Sequence, residues 1–200
     1  MKGKFVVIEG IDGAGTEEQS TRLFEYLKSQ GIFVERLTYP DYSKVIGRMI
    51  HEWLHSKEEL PANTLFLVYT ADMVKDIEKI KSWINEGKFV IADRYFTTTL
   101  AYQTAQGFPL EKALKFAELF EIPKPDMAIY LKVSPDVTVE RKYKEKEELD
   151  RNEANKEFLE KVSKVYDDLV KNQVFTSWFV VDAEKSIEEV FDQIKKILRV

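Results

Sequence analysis

Short, continuous apolar runs recur along the chain and are separated by longer segments with helical spacing. Residues 5–8, FVVI, form the clearest run, and similar runs occupy residues 33–34, 89–91, 127–131 and 178–181. A short uninterrupted run rich in β-branched residues is typical of a strand that is buried on both faces. Strands that alternate with helices predict a parallel sheet covered by helices on both sides.

The segment after the fifth run shows the clearest helical pattern. Its apolar residues are predicted to share one face, namely Ile187, Val190, Phe191, Ile194, Ile197 and Leu198. A length of 200 residues suits one α/β domain with a substantial core. We therefore expect a single domain over residues 1–200, with a five-stranded parallel sheet, about seven helices and three layers.

Composition excludes several classes of function. The 30 basic and 35 acidic residues give a formal charge of −5, which argues against a general nucleic-acid binder. The chain has no cysteine, so disulfides are excluded and a cytoplasmic location is expected. No stretch approaches the roughly 20 apolar residues of a membrane helix, so no membrane association is expected.

A glycine-rich loop follows the first predicted strand. It consists of Gly10, Ile11, Asp12, Gly13, Ala14 and Gly15, and it precedes a helical segment. Glycines let the backbone curl so that several N–H groups point inward, and the following helix N-terminus adds partial positive charge. This context is that of a P-loop, so the loop is predicted to bind the phosphates of a nucleotide.

The two residues after the loop depart from the P-loop motif, which ends in Lys and then Ser or Thr. Here they are Thr16 and Glu17. Thr16 keeps a small donor but no charge, and Glu17 could ligate Mg²⁺ as a hard oxygen ligand. Glu17 and Glu18 also suit a helix N-terminus, so a purely structural role in capping is the alternative interpretation.

Several spaced motifs, in order, resemble the thymidylate kinase family of P-loop nucleoside-monophosphate kinases. They are residues 7–15 (VIEGIDGAG), 39–40 (YP), 91–95 (IADRY), 101–103 (AYQ), 123–126 (PKPD) and 149–151 (LDR). The resemblance runs from about residue 4 to residue 198. It implies the P-loop NTPase-type fold, ATP as phosphate donor, dTMP as acceptor, Mg²⁺ as cofactor, and a homodimer.

The resemblance also implies roles for individual residues. Asp93 corresponds to the carboxylate that organises Mg²⁺, and Arg94 to the guanidinium that binds the acceptor phosphate, for which its planar fork is suited. Asp12 corresponds to the loop carboxylate near the sugar 3′-hydroxyl. A salt-bridged strand end for the Asp93-Arg94 pair, and a turn residue for Asp12, are the structural alternatives.

The nucleoside pocket is implied in the same way. Tyr69 corresponds to the aromatic that stacks on thymine, although core packing is an alternative because residues 65–68 are all apolar. Tyr102 and Gln103 correspond to residues that line the deoxyribose and base pocket.

Two cations common in the family are missing from the acceptor side. Met73 stands where many relatives have an Arg, and Tyr42 stands where relatives with a longer motif have another. Arg48 is the candidate that would compensate for them.

Residues 140–151 are the most polar stretch and are predicted to form a lid at about residues 141–151. Relatives without an Arg in the P-loop supply cations from this lid, and the loop of this chain has none. The candidates are Arg141, Lys142, Lys144, Lys146 and Arg151. Arg141 is the preferred one, acting on the transition state like an arginine finger. The alternative is that these residues only form solvent-exposed ion pairs.

These observations predict a kinase that converts dTMP and ATP to dTDP and ADP. Two alternatives remain open at this point. The first is a degenerate kinase that binds nucleotide and acts as a regulator, since Thr16, Glu17, Tyr42 and Met73 all stand where usual groups are lost. The second is a kinase for another monophosphate such as dUMP, because loss of the Arg at position 73 would relax base choice.

Overall fold

The computed structural model describes residues 3–145 and 149–200, with side chains for residues 3–141 and 149–200. The five strands are β1 (Lys4–Glu9), β2 (Val34–Thr38), β3 (Phe89–Asp93), β4 (Met127–Lys132) and β5 (Trp178–Asp182). They form one sheet in the order β2-β3-β1-β4-β5, and every neighbouring pair is parallel. The predicted α/β fold with a five-stranded parallel sheet is confirmed.

Nine helices connect and cover the strands in the described part of the chain, compared with about seven expected. They are α1 (Thr16–Ser29), α2 (Val45–Leu54), α3 (Ala62–Val74), α4 (Ile77–Asn85), α5 (Phe96–Ala105), α6 (Leu110–Leu119), α7 (Pro135–Glu145), α8 (Lys156–Lys171) and α9 (Ile187–Leu198). Only Lys75 and Asp76 separate α3 from α4, so composition gives little sign of the break.

The strand interiors explain the apolar runs. All five residues of β3 and the last five of β1 are buried, because these central strands are covered by helices on both faces. In α9, Val190, Phe191, Ile194 and Leu198 of the predicted apolar face are buried, and Ile197 packs against the core. Ile187 differs: as the first residue of α9 it is half-exposed at the edge of a cleft.

The strand register decides which residues meet at the carboxyl edge of the sheet. Asp93 at the end of β3 lies opposite Ile8 in β1 on one side and Thr38 in β2 on the other. The glycine loop begins immediately after β1, so the loop and Asp93 are brought to the same edge. Ligands of open α/β sheets bind at this edge. No helix in the part of the chain that the structure describes is long and apolar enough to cross a membrane.

Candidate active site

A cleft of about 1050 Å³ opens at the carboxyl edge of the sheet. The glycine loop forms one wall, together with Thr38 of β2, Asp93 of β3 and the start of α9. A second pocket of about 70 Å³ adjoins it and shares Asp12, Pro40, Tyr42, Arg94 and Asp150 with it. The large cleft therefore has an extension that is lined by residues from α3 and α5.

The glycine loop has the shape that its sequence requires. Gly13 and Gly15 have φ values of 85° and 90°, in the left-handed region that favours glycine. A Cβ on Gly13 would also lie only 2.9 Å from the Cβ of Thr138 in α7. The side chains of Ile11 and Ala14 are buried, so these residues would contact a ligand through the backbone. Helix α1 begins directly after the loop and directs its N-terminal dipole at the cleft.

Thr16 and Glu17 occupy the first turn of α1, and both line the cleft. Thr16 is almost completely buried, whereas Glu17 is exposed. The exposed carboxylates of Glu17 and Glu18 suit the helix dipole, as the structural interpretation requires. Their place in the cleft is also compatible with a bound cation.

Asp93 is 3% exposed and turns its two carboxylate oxygens in different directions. Oδ2 accepts a hydrogen bond from Arg36 Nη2 at 3.3 Å, while Oδ1 is buried and has no hydrogen-bond partner among the described residues. Burial raises the pKa of Asp93, and the charge of Arg94, the Thr16 hydroxyl and the charge of Arg36 partly offset this. A buried, unpartnered carboxylate oxygen at the cleft indicates a place for a cation.

Arg94 joins the glycine loop to β3. Its Nη1 donates to the Gly10 carbonyl and its Nη2 to Asp12 Oδ1, both at 2.8 Å. Its guanidinium also lies 5.7 Å from the ring centre of Tyr102. Arg94 itself has φ of 62°, an uncommon conformation for a non-glycine residue that the surrounding contacts maintain. The side chain lines both pockets, so it can reach a phosphate at their junction.

The smaller pocket brings together the three residues predicted to bind the nucleoside. Tyr69, Tyr102 and Gln103 all line it. The hydroxyl of Tyr102 accepts a hydrogen bond from the Asp12 backbone N–H at 3.0 Å. Gln103 is 2% exposed, and its Oε1 has no partner among the described residues. A buried amide with a free oxygen can accept a hydrogen bond from a base edge.

The residues at the positions of the missing Arg side chains lie in different environments. Met73 is buried in the hydrophobic core and lines neither pocket, so this position has become a packing position. Tyr42 lines both pockets and brings a hydroxyl but no charge. Arg48 lines neither pocket, and its Nη1 donates to the Ser43 carbonyl at 2.9 Å. No compensation by Arg48 is visible in this arrangement.

The basic residues predicted for the lid lie in different places relative to the cleft. Arg141 lines the large cleft, and its Nη2 donates to the Ala183 carbonyl at 3.0 Å. Arg151 lies outside both pockets: its Nη1 donates to the Glu58 carbonyl at 2.6 Å, and its guanidinium lies 4.5 Å from the ring centre of Trp53. The side chains of Lys142 and Lys144, and all of Lys146, lie outside the described residues.

The cleft also contains residues that were not among the sequence candidates, and three of them carry basic or imidazole groups. Lys185 precedes α9 and lines the large cleft, and the strand-end rule that pointed to Asp93 applies to the segment after β5 as well. His51 of α2 and His55, directly after α2, also line it, with ring centres 4.3 Å apart, and the rings of Tyr42 and His51 make an edge-to-face contact. Their spacing of four residues was the only sequence signal for their shared face.

A buried carboxylate lies beneath this site. Glu9, at the end of β1, accepts hydrogen bonds from the hydroxyls of Thr97, Thr98 and Tyr166 and from the Tyr95 backbone N–H. Burial raises the pKa of Glu9, while these hydroxyl groups lower it. Through these contacts Glu9 connects the strand before the glycine loop to α5 and to α8, the helix that follows the lid segment.

Taken together, the cleft is lined by the glycine loop, the start of α1, two guanidinium groups and the carboxylates of Asp93 and Glu17. Among the described residues no preformed group of three or more metal-binding side chains occurs. This fits Mg²⁺, which is usually held by one or two carboxylates with the remaining ligands from phosphates and water. Asp93 and Glu17 are the candidate carboxylates, and the arrangement suits transfer of a phosphate group between two nucleotides.

Comparison with known proteins agrees with this chemistry. The family model described as "Thymidylate kinase" matches residues 8–194. The thymidylate kinase of Plasmodium falciparum is 30% identical over 195 residues, which cover 98% of this chain and 89% of that protein. The thymidylate kinases of Homo sapiens and Caldicellulosiruptor saccharolyticus are 29% and 28% identical, with 97% and 99% of this chain and 89% and 97% of those proteins covered.

Proposed function

The chain belongs to the thymidylate kinase family, so it is a nucleoside-monophosphate kinase that phosphorylates dTMP with ATP, and we propose that Asp93, Arg94 and the glycine loop carry this reaction. The bond between the terminal phosphorus of ATP and the bridging oxygen of ADP breaks, while a bond forms to a phosphate oxygen of dTMP. The acceptor oxygen is already anionic and nucleophilic, so the reaction needs no general base. The protein's task is to position the two phosphates and stabilise their charge.

The glycine loop binds the donor phosphates in this proposal. Its glycines, and the start of α1 behind them, supply backbone N–H groups and partial positive charge. Arg94 binds the phosphate of dTMP, since its guanidinium lies at the junction of the two pockets. A planar fork can hold two phosphate oxygens at once.

Asp93 and Glu17 would hold Mg²⁺, and the free Oδ1 of Asp93 is the observation that supports this most directly. When bound, the ion would neutralise charge on the transferring phosphate. The Thr16 hydroxyl and the Arg36 guanidinium act on Asp93 from the protein side, because both lower its pKa.

The smaller pocket would hold the thymidine. Tyr69 stacks on the base, Gln103 accepts a hydrogen bond from the base edge, and Tyr102 lines the deoxyribose. Asp12 reaches the 3′-hydroxyl in this proposal, with its backbone fixed by Tyr102. The burial of Gln103 and its free Oε1 support the assignment.

The lid over residues 141–151 would close the cleft and exclude water from the transferring phosphate. Arg141 is the described lid residue best placed for this role, because it already lines the cleft. It must leave the Ala183 carbonyl to reach the donor phosphates. Lys142 and Lys144 remain further candidates, whereas the contacts of Arg151 with the segment between α2 and α3 favour an anchoring role.

The position of Asp93 and Arg94 against the glycine loop carries the proposal, and the test is ADP formation from ATP and Mg²⁺ with and without dTMP. We expect turnover that depends on dTMP, that Arg94→Ala abolishes, and that Arg48→Ala, outside both pockets, leaves intact. The same assay with dUMP, dCMP and dGMP tests acceptor choice. Nucleotide binding without dTMP-dependent ADP formation would contradict the catalytic proposal. The comparisons favour neither the regulatory nor the dUMP alternative.

We also propose a homodimer in the cytoplasm. Val45 and Met49 of α2 and Leu67 of α3 are more than half exposed, and these two helices pack on each other. Light scattering at several concentrations tests the dimer, and Leu67→Glu should shift the mass toward the monomer if this face is buried. The cysteine-free composition supports the location.

A further inference from the structure

The large cleft has an excess of negative charge around its phosphate loop. Six carboxylate side chains line it, compared with three Lys or Arg side chains among the described residues. The three cations are Arg94, Arg141 and Lys185. Arg94 is bound to Gly10 and Asp12, and Arg141 is bound to the Ala183 carbonyl. Lys185 lies 3.9 Å from Asp182, so no cation of the described cleft lining has a recorded contact with the start of α1, where a P-loop usually has its Lys.

A fourth cation lies directly behind this wall. Arg36, in the middle of β2, extends along the sheet so that its Nη2 lies 3.3 Å from Asp93 Oδ2 and its Nε donates to Ser20 Oγ at 3.0 Å. The Ser20 hydroxyl in turn donates to the Glu17 carbonyl at 3.0 Å. The Arg36 side chain is 22% exposed and is not part of the cleft lining. One guanidinium thus connects the first turn of α1 to the end of β3.

Stability alone is a weak reason for this arrangement. A largely buried ion pair contributes little net stability, because desolvation of the two charges offsets their attraction. Its geometric effect is more specific. Arg36 holds Oδ2 of Asp93, which leaves Oδ1 as the carboxylate oxygen without a partner among the described residues. Hydrogen bonds of this kind fix the orientation of a metal-binding carboxylate.

We propose that Arg36 is a positioning residue for phosphoryl transfer. From β2, Arg36 brings positive charge to the phosphate loop, and it holds Asp93 and the first turn of α1 in the arrangement that receives metal-bound phosphates. Arg36 acts through Asp93 and Ser20 and does not itself contact the substrate. The inference rests on the proposed function, and it assigns to a neighbouring strand part of the charge that Thr16 cannot supply.

The test measures binding separately from turnover. Mn²⁺ affinity in the presence of AMP-PNP, followed by electron paramagnetic resonance, is compared for the wild type, Arg36→Met and Arg36→Lys. We expect Arg36→Met to weaken Mn²⁺ binding by about 10- to 100-fold, the usual cost of losing a partner behind a metal ligand. Arg36→Lys should recover part of the loss, since it keeps the charge but not the fork. The Mg²⁺ concentration that gives half-maximal turnover should rise in parallel.

Lys88→Met is the matched control. Lys88 pairs with Glu35 at 2.8 Å, so this variant removes an ion pair between β2 and the start of β3 at the opposite end of the same strands. It should leave Mn²⁺ affinity unchanged. A melting temperature for each variant separates local misplacement from unfolding.

Unchanged Mn²⁺ affinity in folded Arg36→Met would overturn the proposal. If Arg36→Met does not fold, folded Arg36→Lys decides, because several-fold weaker Mn²⁺ binding supports a positioning role and wild-type affinity refutes it. Failure of the proposed function gives a different pattern. In that case the wild type forms no ADP with dTMP, whatever the Arg36 variants do to Mn²⁺ binding.

Discussion

Replacement of Arg94 by Lys tests the geometry of the candidate site without removing charge. Arg94 makes two contacts of 2.8 Å at once, to the Gly10 carbonyl and to Asp12. A single ammonium cannot keep both contacts and still present a flat face to a phosphate. The backbone strain at φ of 62° stays the same, because Lys and Arg have the same requirements there.

The expected loss follows from one missing charged hydrogen bond. Such a bond contributes about 1.5 to 3 kcal/mol, which corresponds to about 10- to 150-fold in kcat/KM. The loss should be larger with dTMP as the varied substrate than with ATP, because Arg94 lies at the junction with the nucleoside pocket. Steady-state ADP release, with each substrate varied in turn, measures both values.

Arg48→Lys is the matched control, since Arg48 carries the same charge but lines neither pocket. It should retain wild-type kinetics. A loss of less than about threefold in Arg94→Lys, or about 0.7 kcal/mol, would refute the role of the guanidinium fork. So would a loss confined to the ATP parameters.

Three further predictions concern the phosphate loop and the buried carboxylate beneath it. Thr16→Lys combined with Glu17→Thr should raise kcat by about 100-fold, since one positioned cationic donor is worth at least that much in comparable sites. An unchanged kcat in the same ADP assay would mean that the closed lid already supplies the charge. Tyr166→Phe should lower the free energy of unfolding by about 1.5 to 3 kcal/mol in urea titrations, because it removes a buried hydrogen bond of 2.7 Å to Glu9. A loss below about 0.5 kcal/mol would show that this hydrogen bond does not stabilise the fold. Burial raises the pKa of Glu9 above its ordinary value of 4.5, so the stability contributed by its protonated form is complete below that value and is lost as the pH rises through the folded-state pKa. Wild type should therefore lose stability relative to Glu9→Gln as the pH rises above 4.5, and a constant difference between the two unfolding curves would contradict the raised pKa.

Much of the fold could be predicted because its signals are local. The five strands are short apolar runs that the helices bury on both faces, so burial is visible in the sequence as an absence of polar alternation. The number of helices was underestimated, about seven against nine in the described part of the chain, because breaks such as the one between α3 and α4 carry no Gly or Pro. Ile187 was predicted to share the apolar face of α9, but helical phase does not reveal that a cleft opens at the first turn of this helix.

The features of the candidate site also divide into those that neighbouring residues determine and those that depend on the tertiary structure. The sequence alone determined the glycine loop, the strand end at Asp93-Arg94 and the loss of the usual Lys, because each is a property of neighbouring residues. Only the tertiary structure decided that Met73 packs into the core, that Arg151 faces the segment after α2, and that Arg36 reaches Asp93. Arg36 and Asp93 are 57 residues apart, and in the sequence Arg36 is one charged residue in a half-exposed edge strand. Their contact depends on the parallel register of β2 and β3 and on the packing of α1 over them, which no local pattern encodes.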